Sequence, residues 1–251
     1  MITGVIFDLG STLIHFDGDW QAVFTQSLHA LARQLKADGL RVEPRLLREA
    51  FRRQVEAAQA ERQKDCLERT SDSVLRQVLA DLGASPVDDG VIERALRRLF
   101  AVSEARWVPM PGLHEMLADL RAARYRLGLI SNASDADNVR RLMVKAGLLN
   151  TLDPELISAA VGIRKPEVRL FEQVLTAWGL PPQAVVMVGD TLGEDILGAQ
   201  RAGLRTIWFT ADADTPANRI WAKTLKADAA TDNLHGLPAL IRSLPAGSPA
   251  V

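Results

Sequence analysis

Ala184-Val185-Val186-Met187-Val188-Gly189-Asp190-Thr191-Leu192-Gly193-Glu194-Asp195 runs from unbroken apolar residues into a glycine and three acids. Five consecutive apolar residues, three of them β-branched, predict a strand buried on both faces, as in a parallel sheet. Parallel strands need crossover helices, and the flanking sequence supplies them. A helix is expected from Pro166 to about Trp178 before this run and another from about Glu194 to Ala202 after it. Arg205 to Phe209 is the next strand, and a last helix lies near Leu234 to Ser243.

Working back toward the N-terminus, Leu156-Ile157-Ser158 is a short strand candidate. Val139, Leu142, Met143 and Ala146 mark a helix that ends at Gly147. Arg126 to Ser131 is a strand, Leu113 to Ala123 a helix, and Ile2 to Phe7 the first strand. Alternating strands and helices predict an α/β fold, a doubly wound Rossmann-like parallel sheet with right-handed crossovers. Between the first strand and the rest, the pattern is helical only. Apolar residues recur every three or four positions from Trp20 to Leu35, with Asp19 as N-cap. Pro44 opens a second helix through Leu47, Phe51 and Val55. Val74 to Leu82 forms a third, stopped by Gly83, and Val91 to Phe100 a fourth. The expected organisation is a core of residues 1–16 and 107–251 with a four-helix cap domain, residues 17–106, inserted after strand one. The tail from Pro245 to Ala250 reads as frayed.

Composition narrows the function classes. The 251 residues include 30 basic and 31 acidic side chains, a net charge of −1, with 47% hydrophobic and 24% charged. No overall field draws in nucleic acid or an anionic membrane. The longest charge-free run, Gln173 to Gly189, is broken by Gly179-Leu180-Pro181-Pro182, and no basic segment precedes the first apolar stretch. Neither a membrane span nor a signal peptide is expected. One cysteine, Cys66, excludes an internal disulfide and fits a cytoplasmic setting. His15, His29, His114 and His235 show no paired ligand spacing, which argues against zinc. No heptad run demands a coiled coil, and no oligomeric state is read from the chain.

In open α/β sheets ligands bind beyond the carboxyl ends of the strands. Polar clusters fall at those ends: Asp8 after strand one, Ser131-Asn132 after the second, and Asp190 with Asp195 after the Ala184 run. Lys165, in Gly162-Ile163-Arg164-Lys165-Pro166, precedes a helix. Singly, each has a plain reading: turn former, cap, or solvated lysine. Their joint order resembles the haloacid-dehalogenase-like (HAD) hydrolase superfamily, through VIFDLGSTL at Val5 to Leu13, LISNAS at Leu129 to Ser134, RKPEVRLFE at Arg164 to Glu172 and VGDTLGEDILGAQRAG at Val188 to Gly203.

The resemblance implies a Mg²⁺-dependent phosphohydrolase acting on a small phosphorylated molecule. Asp8 would be the nucleophile that forms an aspartyl-phosphate. Asp8, the Gly10 backbone carbonyl and Asp190 would hold Mg²⁺, with Asp195 a ligand or its anchor. Lys165 would bind a phosphate oxygen and screen the acids, Ser131 and Asn132 would donate to another oxygen, and Thr12 would support the loop. One departure stands out. The family's first motif carries a second aspartate two residues after the nucleophile, which protonates the leaving group and then activates water. Gly10 occupies that place here. His15, Asp17 and Asp19 follow the motif and are candidates to replace that acid, against their plainer reading as a polar linker. The family's dehalogenases also lack the second aspartate, but they need neither a metal nor both acids of the last motif. A third reading is a phosphate-binding relic without turnover.

Overall fold

The computed structural model describes residues 1–245, so most of the tail expectation lies outside the described residues. Six strands form one parallel sheet in the order β5-β4-β1-β6-β7-β8. They are β1 (Gly4–Phe7), β4 (Arg126–Ser131), β5 (Glu155–Ile157), β6 (Val185–Gly189), β7 (Arg205–Phe209) and β8 (Ala229–Thr231). The central strand β1 aligns Phe7 with Leu129 of β4 on one side and with Val188 of β6 on the other. The chain therefore winds outward in both directions from β1, and the crevice at that reversal is where such sheets bind ligands.

Side-chain alternation along β1 feeds two cores. Val5 and Phe7 pack on one face with α5 (Leu113–Ala122) and α6 (Ala136–Lys145). Ile6 packs on the other with α8 (Val168–Trp178) and α9 (Leu197–Arg201). A third core belongs to the helical segment alone. It is built by α1 (Trp20–Ala37), α2 (Pro44–Asp65), α3 (Ser71–Asp81) and α4 (Asp89–Glu104). Local chemistry starts and stops these helices as expected. Asp19 accepts from the Gln21 and Ala22 amides at 2.8 and 3.2 Å, and Gly83 leaves α3 at φ +73°.

Several features depart from the sequence reading. Ile14–Phe16 (β2) pairs antiparallel with Trp107–Pro109 (β3), making a ribbon on either side of residues 17–106. Three-residue strands carry no readable alternation, and their pairing is non-local. Other short elements also escaped it, among them β8, α7 (Ser158–Val161), which takes Ser158 out of the expected strand, and α10 (Pro216–Trp221). The helix expected from Glu194 begins instead as a wide π-type turn, Leu192–Ile196, before α9. That widened turn brings Asp195 back over Gly189, where a Cβ would collide with the Asp195 carboxyl group. Among the described residues, no helix is long and apolar enough to cross a membrane.

Candidate active site

Three adjacent strand ends deliver the polar residues to one cavity of about 430 Å³. Asp8 leaves β1 with its amide donating to Val188 O at 3.0 Å, so the sheet's ladder holds it beside β6. The next residues turn sharply: Leu9 O accepts from the Leu13 and Ile14 amides, and Ser11 sits at φ +56°. A non-glycine residue there stores roughly 1–3 kcal/mol of strain, which the surrounding loop must hold.

Lys165 is the hub. Read alone it suggested a solvated lysine, but its side chain is only 1% exposed. Nζ donates to Asp8 Oδ1 at 2.6 Å and to Ile130 O at 2.7 Å, and pairs as an ion with Asp195 Oδ1 at 2.6 Å. Asn132 fixes the lysine's backbone from both sides. Its Oδ1 accepts from Lys165 N at 2.8 Å, and its Nδ2 donates to Lys165 O at 3.1 Å and to Glu194 Oε2 at 2.8 Å. The Asn132 side chain thus positions the ammonium. Ser131 is buried in the cavity wall. Thr12 is buried under the loop, outside the lining, with no protein partner for its hydroxyl.

Asp195 Oδ2 accepts from the Thr191 amide at 2.8 Å, and Thr191 Oγ1 donates to Asp190 Oδ2 at 3.3 Å. The Asp190 carbonyl is held by Trp208 Nε1 and Asn218 Nδ2, each at 2.8 Å. Asn218 also accepts from the Leu192 amide at 2.8 Å. These two residues were absent from the sequence reading. The available signal was Thr215-Pro216, a cap followed by a first-turn proline that opens α10 and delivers Asn218. Asn218→Ala leaves the Leu192 amide unpartnered at a buried position. It should cost about 1–3 kcal/mol of stability, read in a denaturant melt. Asn218→Asp keeps the acceptor but turns a carboxylate oxygen onto the Asp190 and Ala213 carbonyls, and should cost at least as much.

Burial sets the charges. Desolvation lifts the Asp8 carboxyl above its ordinary value, and Lys165 pulls it part of the way back. Asp190 is pushed up to about 8, by burial first and then by the charges of Asp8 and Asp195. Asp195 is pushed up to about 7, again by burial, with Lys165 opposing. Burial also works against the Lys165 charge, but Asp195 and Asp8 outweigh it and hold the ammonium above the usual lysine range. Once all three acids ionise they share one cation, and negative charge is in excess.

That excess is what a hard divalent cation relieves, and carboxylate oxygens are its donors. Among the described residues no three His, Cys, Asp or Glu side chains form a preassembled metal cage. An ion that keeps several waters and takes a backbone oxygen does not need one.

The helical segment contributes the opposite wall through Trp20, Gln59, Arg62, Phe100 and Ser103. A buried ionic cluster joins it to the sheet. Glu68 lies 2.8 Å from Arg62 Nε, and accepts from Arg164 Nη1 at 3.3 Å and Ser158 Oγ at 2.6 Å. Arg164 also donates to Glu194 Oε1 at 3.2 Å. His15, Asp17 and Asp19 do not line the cavity, and Asp19 is occupied as a cap.

A family-wide sequence profile described as haloacid dehalogenase-like hydrolase matches residues 2–203. The chain belongs to the haloacid dehalogenase-like hydrolases. A phosphoserine phosphatase from Thermus thermophilus is 36% identical to this HAD-like chain over 139 residues, 55% of this chain and 53% of that one. A glyceraldehyde 3-phosphate phosphatase from Methanothermobacter thermautotrophicus is 38% identical over 104 residues, 41% and 46% of the two chains. The HAD-like chain therefore spans about half the length of the curated relatives it matches. The crystal structure of a 2-haloacid dehalogenase from Pseudomonas syringae pv. Tomato DC3000 matches with a TM-score of 0.65 at 26% identity, over 96% of this chain and 99% of that one. An HAD phosphatase from Thermococcus onnurineus matches with a TM-score of 0.63 over 98% and 100%, at 20% identity, a likeness of fold.

Proposed function

We propose that this chain is a Mg²⁺-dependent phosphohydrolase for a small phosphorylated molecule, working through an aspartyl-phosphate on Asp8. The carrying observation is Asp8 at the end of the central strand, bonded to a buried Lys165 and sharing its cavity with Asp190 and Asp195. Asp8, the Gly10 carbonyl and Asp190 would hold the cation, with Asp195 anchoring the loop. When bound, Mg²⁺ supplies charge neutralisation at the phosphoryl oxygens. Lys165 orients the Asp8 carboxylate and offers its ammonium to a phosphoryl oxygen, while Ser131 and the Asn132 amide donate to another. Thr12 underpins the turn that aims Asp8. Residues 17–106 act as a cap over the core formed by 1–16 and 107–251, excluding water from the reacting phosphorus. The single cysteine fits action in the cytoplasm.

A metal-independent dehalogenase is the second reading, favoured by the full-length likeness to the Pseudomonas enzyme and by Gly10. Retention of Asp190 and Asp195 favours the phosphohydrolase. A screen of phosphorylated metabolites and acyl phosphates, with and without Mg²⁺ and with a 2-haloacid control, separates them. Mg²⁺-dependent phosphate release is expected. Metal-independent halide release would select the dehalogenase, and binding of Mg²⁺ and phosphate without turnover would leave only a relic.

Melting curves give an independent check. Between the ordinary carboxylate pKa of 3.8 and the values near 8 and 7, folded Asp190 and Asp195 keep protons that the unfolded chain has lost. Their contribution to stability therefore falls as pH rises through that window. Metal-free protein should melt lower at pH 8.5 than at pH 6. Added Mg²⁺ should raise Tm more at pH 8.5, because it no longer competes with those protons; at ~100 times Kd the stabilisation is about 2.7 kcal/mol. A Mg²⁺ shift of equal size at both pH values would contradict the ligand assignment.

A further inference from the structure

The cavity wall beside Gly10 is aromatic. Trp107 covers that glycine: a Cβ placed on Gly10 would lie 3.4 Å from Trp107 Cη2 and 3.7 Å from Cζ3. Phe16 packs edge-on against both Trp107, at 5.3 Å between ring centres, and Trp20, at 5.0 Å. Trp20 is half exposed at the cavity rim, and Phe100 lines the same cavity. The acids that line the cavity are engaged elsewhere. Asp8 and Asp195 face Lys165, Asp190 accepts from Thr191, and Glu194 is shared by Arg164 and Asn132. Among the described residues, no histidine lines it. Aromatic surface thus stands beside Asp8, where position 10 offers no carboxyl group.

Resting on the reading of Asp8 as phosphoryl acceptor, we infer that the substrates are phosphate monoesters whose leaving oxygen is bonded to an aromatic ring. The ring lies against Trp107 and Trp20, and planar faces stack there in place of water. A carboxylate oxygen of Asp8 forms a bond to phosphorus as the bond from phosphorus to the aryl oxygen breaks, and the electron pair leaves with the aryloxide. Water then attacks phosphorus, the bond to Asp8 breaks, and both protons of that water end on the released dihydrogen phosphate. Neither step takes a proton from the protein. A phenol-type hydroxyl has a pKa of ~10, so its anion is a tolerable leaving group. An alkyl hydroxyl, like water, is a far weaker acid than a phenol, and its anion needs the missing acid. A positioned acid is worth about 10²–10⁴-fold, which sets the expected discrimination.

O-Phospho-L-tyrosine and O-phospho-L-serine test this directly, since both are phosphorylated amino acids and they differ in the carbon that bears the ester oxygen. With Mg²⁺, kcat/KM for phosphotyrosine should exceed that for phosphoserine by on the order of 10²-fold or more. Single-turnover rates for ring-substituted phenyl phosphates should fall steeply as the leaving-group pKa rises. Gly10→Asp should flatten that slope by supplying a carboxyl group. Trp107→Leu should raise KM for phosphotyrosine several-fold and shrink its advantage; should that variant melt out, Trp20→Ala at the exposed rim reads the same shift. Equal rates for the two amino acid esters, or a flat leaving-group slope in the unsubstituted protein, would overturn the inference. Acetyl phosphate distinguishes the failures. Labelling of Asp8 without aryl preference rejects only the substrate class, whereas no labelling and no phosphate release rejects the phosphohydrolase reading as well.

Discussion

Asp8→Asn should remove phosphohydrolase activity by on the order of 10⁴-fold or more while leaving the protein folded. The substitution keeps the shape of the side chain and removes the charge that attacks phosphorus. It also removes one of three crowded acids, so the fold has little to lose. Lys165 retains Asp195 and Ile130 O as partners, and a neutral amide at position 8 suits a buried site whose carboxyl is already lifted by desolvation. Tm should therefore hold or rise. Intact-mass spectrometry after brief exposure to acetyl phosphate and Mg²⁺ should show a phosphoryl adduct on the unsubstituted protein and none on the variant. Activity of the variant above a tenth of the original would reject Asp8 as nucleophile.

Lys165→Met carries the largest expected effect on stability. The ammonium is bonded to two carboxylates and a carbonyl at a site only 1% exposed, and methionine replaces its length without its charge. Removing one partner of a buried ion pair typically costs about 3–5 kcal/mol. At roughly 2–4 °C per kcal/mol for a chain of this size, the melt should drop by ~6–20 °C. The sign of its pH dependence follows from the orphaned acids. At pH 5 to 6 they bind protons and the loss is small; above 8 they are driven to ionise beside one another and the loss is greatest. Equal melting of variant and original at pH 8.5 would show that the ammonium is not what balances the acids.

Much of this arrangement was legible because it is local. A buried strand announces itself by five apolar residues, and an acid at its carboxyl end is one residue further along. That placed Asp8 and Asp190, and their strands pair side by side. The sequence also showed Gly10 as a departure, since a missing side chain is visible without coordinates. What stayed hidden depends on pairings across long stretches of chain. Glu68 meets Arg164 from 96 residues away, and Asn218 reaches Asp190 across 28. Neither pair follows a helix or strand period. Lys165 could be singled out only from the joint order of the motifs: a lone lysine is ordinarily solvated, and its burial here is set by Asp8 beyond β1 and Asp195 in the turn beyond β6. Nothing in the local pattern places Trp107 over Gly10; the β2–β3 ribbon does.

The helical segment touches the sheet in a second place besides that ribbon. Leu67 bridges to Ile163, the Glu68 amide donates to Gly162 O and the Arg164 amide to Cys66 O, each at 2.9 Å. Any swing about the ribbon must unzip this short seam, and the residue after Arg164 is Lys165. Opening of the helical segment would strip these three contacts beside Lys165, and amide hydrogen exchange at Glu68 and Arg164 would report it.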